Sequence, residues 1–405
     1  MVASFPAPSV TSSGRQRGNV KTQLQITAVR AILLSYVYPA GQEMTWVGGT
    51  IHSWDAALVE VTLADGSVGV GEVGAGIMAA VAVPGLLEAY QPYCVNVSFD
   101  HPLHVGDWLR AHTAFWSRGG IASGVAGAIE IAAVDAVGKR EGLAAYELLG
   151  GLRRDRIEAY ASGGLGSTFD DVATWGREQI AAGFSTIKFR GMRDADTTIE
   201  LMEYVVPQLP TGTGFILDVV QACASQAWSH DDALRVGRVA QQLGARWYEE
   251  PCFATDVAGY AKMRAELGVR ISGVESNGTV DEFAALLLAD AIGLAQPDVT
   301  FVGGFATFAR VADMARAHDV ACVPHVWGSG VTFAANLHAA FAHDHVQLFE
   351  FCTLVNPLRE LLLTEVIGLR DGELLAPRAP GLGVAVTPEI ERAFPFQRNG
   401  GHVIR

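Results

Sequence analysis

The sequence predicts an α/β fold in which a parallel βα barrel follows a smaller α+β domain. Three observations predict it. First, short apolar strand candidates begin near Ile157, Thr186, Phe215, Arg246, Ile271, Leu294, Ala321 and Gln347, about 23 to 31 residues apart. That interval is one strand plus one helix and its loops, and about eight such units in series favour a barrel over a doubly wound sheet. Second, these stretches are too short for helices and rich in β-branched or aromatic residues, as strands buried on both faces are. Third, a doubly wound sheet would more often carry a Gly-rich phosphate loop after its first strand. Gly163-Gly164-Leu165-Gly166 lacks that spacing.

Taken in order, residues 1–24 hold Arg15, Arg17 and Lys21 and no acid, and read as a tail outside the fold. Residues 25–152 read as the α+β domain. Strands are expected over 25–38 and 56–63, and Asp65-Gly66 marks a tight turn into Val68-Gly69-Val70-Gly71-Glu72. Pro39 to Trp54, with Gly41, Gly48 and Gly49 among Met44, Trp46, His52 and Trp54, reads as a mobile loop, either a lid or a packed surface loop. Residues 83–150 read as helical, the longest piece running from Ala122 to Glu141 and ending at Gly142. The barrel is expected over 153–355. Ser229 with Asp232 and Thr279 with Glu282 are candidate helix N-caps, and Gly183, Gly244 and Gly268 fall where helices should end. Residues 356–405, rich in Gly and Pro, are expected to return to the first domain.

The residues at successive strand ends carry the functional argument. From the second strand onward they are Lys188 and Arg190, Asp218, Glu249, Glu275, Asp298, His325 and Glu350. In a barrel these face one opening, where barrel enzymes keep their sites. Three converging carboxylates, Asp218, Glu249 and Glu275, repel one another unless a cation holds them, and an all-oxygen set suits Mg2+. Lys188 and Arg190 alternate along one strand, so both point into the mouth, as an anion clamp or with Lys188 as a base. Asp298 beside His325 would fix the imidazole tautomer and raise its basicity, which suits a general base. Glu350 is open to two readings: a protonated donor to an oxyanion, or a salt bridge to Lys or Arg.

Composition narrows the partners. Lys and Arg total 29 against 43 Asp and Glu, a net charge of −14, which argues against nucleic acid or an anionic membrane. No apolar run of membrane-spanning length is expected. Five widely spaced cysteines without a C-x-x-C read as free buried thiols in a reducing, cytoplasmic setting.

In this order, Lys188-Phe189-Arg190, Asp218, Tyr248-Glu249-Glu250-Pro251, Gly273-Val274-Glu275, Gln296-Pro297-Asp298 with Gly303-Gly304, and Pro324-His325 resemble the enolase superfamily, and within it the mandelate racemase subgroup. Ala128 to Asp135 followed by Leu148-Leu149-Gly150-Gly151 resembles the helix and linker joining that family's two domains. The resemblance implies a modified (β/α)7β barrel with an α+β capping domain. It also implies Mg2+ on Asp218, Glu249 and Glu275, and proton abstraction α to a carboxylate to give an enediolate. Val323 to Asn336, Glu350 and Asn356-Pro357-Leu358 are similar to sugar-acid dehydratases and lactone cycloisomerases of the subgroup. Trp46 and His52 would belong to a substrate lid by position, and a homo-oligomer is expected. Three departures matter. The subgroup's second Lys is Arg190 here, and guanidinium is a poor base. Val220 stands where Asn is frequent, and Gln226-Ala227-Trp228 lies about five residues late, so the loop after Asp218 carries an insertion. Ser276-Asn277 has no clear counterpart. The expectation is a one-base sugar-acid dehydratase using His325, with an epimerase or lactone cycloisomerase as the alternative and a non-catalytic binding protein as the remote one.

Overall fold

The computed structural model describes residues 20–46 and 49–398. The N-terminal layer is a four-stranded antiparallel sheet whose long strands, Leu24–Val37 and Ser53–Leu63, pair along their length. Gly66 adopts φ +87 in the turn into Val68–Glu72. Helices Val83–Cys94, His104–Thr113 and Gly120–Glu141 cover the sheet. The last ends at Gly142 in the left-handed conformation, as its sequence requires.

Helix Gly120–Glu141 corrects one expectation. It is 22 residues long with a mean hydropathy of 1.6, enough by length and composition to cross a membrane. Yet 89% of that apolar window is buried inside the fold, which makes it a core helix. Its Ala-rich face lies against the glycines of Val68–Glu72. A Cβ on Gly71 would come within 2.1 Å of Ala128 O, and one on Gly69 within 2.1 Å of Ala132 O.

The stretch from Pro39 to Trp54 also differs from expectation. Met44–Trp46 pairs with Gly49–Ile51 as a small antiparallel hairpin, and Trp54 lies in the next strand, fully buried. Of the apolar side chains that suggested a loose payload, Trp54 packs in a cluster with Tyr38, Ile51 and Cys352, and Met44 lies against that cluster. Val47 and Gly48, and the tail through Asn19, lie outside the described residues.

Eight strands form the barrel: Arg156–Ser162, Thr186–Arg190, Gly214–Asp218, Tyr248–Glu249, Ile271–Gly273, Leu294–Ala295, Ala321–Cys322 and Leu348–Cys352. Neighbours are parallel. A bridge from Cys322 to Val346 and the pairing of Leu348–Cys352 with Arg156–Ser162 close the ring. Seven helices lie between the eight strands, giving the (β/α)7β pattern. Ser229 and Thr279 accept from Asp232 N and Glu282 N at their helix starts. After the barrel, Glu373–Leu375 adds antiparallel to Arg156–Ser162, and Ser35 N donates to Phe394 O at 3.1 Å, tying the C-terminal segment to the first sheet.

Candidate active site

Register brings the site together. Arg190 pairs with Asp218 and Asp218 with Glu249 across adjacent strands, so the three side chains stand at one level of the mouth. Glu275 arrives differently from expectation. Its strand stops at Gly273, Val274 takes φ +62, and Glu275 stands on the turn beyond. One oxygen each from Asp218, Glu249 and Glu275 lies within 4.8 Å of the others.

This donor set fits a hard divalent cation. Every donor is a carboxylate oxygen, two of the residues are buried, and Glu275 Oε2 is buried without a hydrogen bond. The electrostatics agree. Burial pushes Asp218 upward, Arg190 pulls it back, and Glu249 and Glu275 add to the rise. Glu250, which follows Glu249, is held far above the carboxylate range by burial and by Glu275 and Asp218. A divalent cation among these carboxylates would offset their mutual repulsion.

Lys188 is fully buried, with Nζ 2.7 Å from both Glu249 Oε1 and Glu350 Oε1 and 3.5 Å from Asp218 Oδ2. Burial alone would lower its pKa, but Glu249 and Glu350 raise it well above normal. This pairing favours the charged, anion-clamp reading of Lys188 over the base reading. Arg190 pairs with Asp218 and lies 4.8 Å over the Trp327 ring. Its acidic neighbours overcome burial and raise it further, so it too stays charged.

Glu350 stands in the salt bridge that was one of its two readings. Burial would raise it, yet Lys188 leads the opposing charges that bring it down to about 2. Its Oε2 accepts from Val326 N at 2.8 Å. With Lys188 Nζ 2.7 Å from its Oε1, the geometry favours the salt-bridge reading of Glu350.

His325 is buried, with Nδ1 3.0 Å from Asp298 Oδ2 and Nε2 3.4 Å from Glu275 Oε2. Asp298 Oδ1 already accepts from Thr300 N, Thr300 Oγ1 and Asn336 Nδ2 at 2.7 to 2.9 Å. Its Oδ2 is left for the ring, so Nδ1 donates and Nε2 faces the carboxylate cluster. Burial opposes charging the ring, but Glu275 and the Asp298 hydrogen bond lift its pKa to about 9. Phe301 meets the ring edge-on, 6.1 Å between centroids.

The structure thus gathers Lys188, Arg190, Asp218, Glu249, Glu275, Asp298, His325 and Glu350 in one mouth. His52 is exposed on the return from the hairpin, and among the described residues no hydrogen bond or ion pair joins it to this cluster. Trp46 sits on the hairpin with its backbone paired to Gly49. Sequence reasoning missed Asn336, Thr300 and Trp327. Asn336 had a signal, as a polar residue inside the apolar run Phe333-Ala334-Ala335-Asn336-Leu337. A second grouping, His230, Cys252 and Asp256, also has ligand atoms within 4.8 Å. There His230 Nε2 already meets Asp256 Oδ2 at 2.6 Å, and both residues stand at helix N-termini, whose positive ends disfavour a cation.

Residues 171–390 match the Enolase C-terminal domain-like family. The D-galactarolactone cycloisomerase of Agrobacterium fabrum is 29% identical over 386 residues, covering 92% of this chain and 99% of that protein. The arabinonate dehydratase of Saccharolobus solfataricus is 28% identical over 341 residues, covering 83% of this chain and 89% of that protein. The crystal structure of an enolase superfamily member from Polaromonas sp. JS666 superposes with a TM-score of 0.84 at 30% identity, covering 94% of this chain and 100% of that one. With the barrel, its capping layer and the family match in agreement, the chain belongs to the enolase superfamily.

Proposed function

We propose that the protein is a Mg2+-dependent sugar-acid dehydratase whose single base is His325. Asp218, Glu249 and Glu275 would hold the ion. When bound, it supplies positive charge where a carboxylate's electron density rises on loss of the α proton. His325 Nε2 takes that proton while Asp298 holds Nδ1. The proton then leaves with the β-hydroxyl as water, and the enol ketonises to a 2-keto-3-deoxy acid. Lys188, fixed between Glu249 and Glu350, adds positive charge beside the substrate carboxylate. Arg190 holds a hydroxyl or the far carboxylate of a mono- or diacid sugar.

The observation that carries this reading is the pairing of one oriented imidazole with a permanently charged Arg190 in place of a second base. Two-base racemisation needs a second group that can release a proton, and guanidinium does not. The similarity to both a dehydratase and a cycloisomerase supports the shared first step. The cycloisomerase spans nearly its full length on this chain, which keeps lactone isomerisation as the second reading.

The test is incubation of the protein and Mg2+ with a panel of sugar acids and their lactones, scoring 2-keto acids. A keto acid formed with loss of water is the expected result. Epimers, or keto acids formed from the lactones by ring opening without loss of water while the open-chain acids go unreacted, would overturn it in favour of the isomerase.

A further inference from the structure

The N-terminal layer meets the barrel behind the Asp298–His325 pair. Glu72, the last residue of strand Val68–Glu72, is buried against the start of helix Gly330–Ala342. Ser329 Oγ and Thr332 N donate to its Oε2 at 2.6 and 2.8 Å, and Ser329 N donates to its Oε1 at 3.2 Å. That helix begins just after the turn carrying His325, Val326 and Trp327. Trp54, from the same sheet as Glu72, stacks on Trp327 with centroids 5.7 Å apart.

The neighbouring helix, Phe305–Ala317, follows Asp298 and is held in the same manner. Its own N-cap is Gly304, which offers no side chain. Ala306 N instead donates to Glu130 Oε1 at 3.0 Å, from the N-terminal layer's long helix. Gly74 N donates to Thr300 O at 3.1 Å, two residues past Asp298. The barrel helices starting at Phe169, Ala195, His230, Val257 and Val280 use local caps from Thr168, Asp194, Ser229, Asp256 and Thr279, whereas helix Gly330–Ala342 adds Glu72 to its own cap, in which Ser329 Oγ accepts from Val331 N at 3.1 Å. Carboxylates borrowed from the other layer therefore appear at the two helices that follow the imidazole and its orienting acid.

Adhesion alone would not call for this chemistry. An apolar contact would join the layers without the desolvation cost of a buried carboxylate. Three hydrogen bonds to one carboxylate at a helix N-terminus add direction, and fix a turn in one orientation. We propose that Glu72 is a positioning residue: through Ser329 and Thr332 it fixes the turn that carries His325, and so sets where the imidazole stands opposite Asp218, Glu249 and Glu275. The catalytic consequence rests on the reading of His325 as the base. The positioning itself does not.

The test uses the full chain with Mg2+ as wild type, Glu72→Gln and Glu72→Ala. Amide hydrogen exchange is followed by mass spectrometry, and kcat and KM are measured on whichever sugar acid the panel identifies. The expected result is a loss of protection of roughly tenfold or more over residues 325–332, with residues 186–218 unchanged. It comes with a kcat lower by roughly tenfold or more at a KM within about threefold of wild type, the Gln variant lying between. Protection lost evenly along the chain, or a lowered Tm with kcat unchanged, would reduce Glu72 to an adhesive contact and overturn the proposal. Should Glu72→Ala not fold, Glu72→Gln, which keeps the side-chain volume and removes the charge, carries the test alone and must give a loss at the same residues. The exchange measurement needs no substrate. A local loss in a protein that turns over no sugar acid would uphold Glu72 and overturn the dehydratase reading alone.

Discussion

Lys188 and Arg190 stand two residues apart on one strand, yet only Arg190 keeps donors for a ligand. Lys188 is consumed by Glu249 and Glu350, each 2.7 Å away, whereas Arg190 pairs with Asp218 and otherwise lies on Trp327. The sequence showed which charges share the mouth. It could not show how they pair, because pairing depends on strand register and on the Trp327 ring. The same limit applies to Glu350, whose partner is a Lys across the barrel. Two predictions belong here. Asp298→Asn leaves the ring without its acceptor-only partner and should lower kcat by about 10²- to 10⁴-fold with little change in KM, read by steady-state kinetics. Burial would lower the His325 pKa, but Glu275 facing the ring leads the groups that lift it to about 9. A dication on Glu275 cancels that charge, so the ring pKa followed by NMR should fall when Mg2+ is added. The sign also reaches stability. Without cation, the contribution of protonated His325 is complete below about 6.5, the unfolded value, and is lost as pH rises through about 9.

Elements were more legible than contacts. The βα period, the Asp65-Gly66 turn and the Ser229 and Thr279 caps are local signals, and each names its own neighbours in the chain. The pairing of Met44–Trp46 with Gly49–Ile51 was not legible, because Met44 and Ile51 pack with Trp54 and Cys352, the latter on the eighth barrel strand. The turn at Glu275 was hidden by Val274, a β-branched residue held at φ +62 where sequence preference expects strand. Such strain concentrates here: Val220, Glu250 and Val274 all have positive φ and each lies within two residues of a candidate ligand. Helix Gly120–Glu141 shows the opposite case, in which composition suggests a membrane span and packing makes a core. Gly69 and Gly71 let that helix approach the sheet. Gly71→Ala should cost about 3 kcal/mol of stability by denaturant unfolding. Gly212→Ala, where an added Cβ meets nothing within 4 Å, carries only the backbone cost of φ +88 and should cost less.

At the scale of the molecule, the two layers have separate tasks. The barrel supplies every charged group of the mouth, and the N-terminal layer supplies hydrogen bonds that hold the loops beneath Asp298 and His325. Since the carboxylates repel without a cation, Mg2+ should stabilise the whole fold. At about 100-fold above its dissociation constant the gain is about 2.7 kcal/mol, visible as a rise in the unfolding midpoint that chelation reverses. The net charge of −14 works in the same direction. The account rests on three acids, distant in sequence, sharing one dication, and the most direct test is titration with Mn2+ followed by electron paramagnetic resonance. One tight, magnesium-displaceable Mn2+ per chain is expected in the wild type, and its loss in Asp218→Asn. No tight site, or a site that survives Asp218→Asn unchanged, would contradict it.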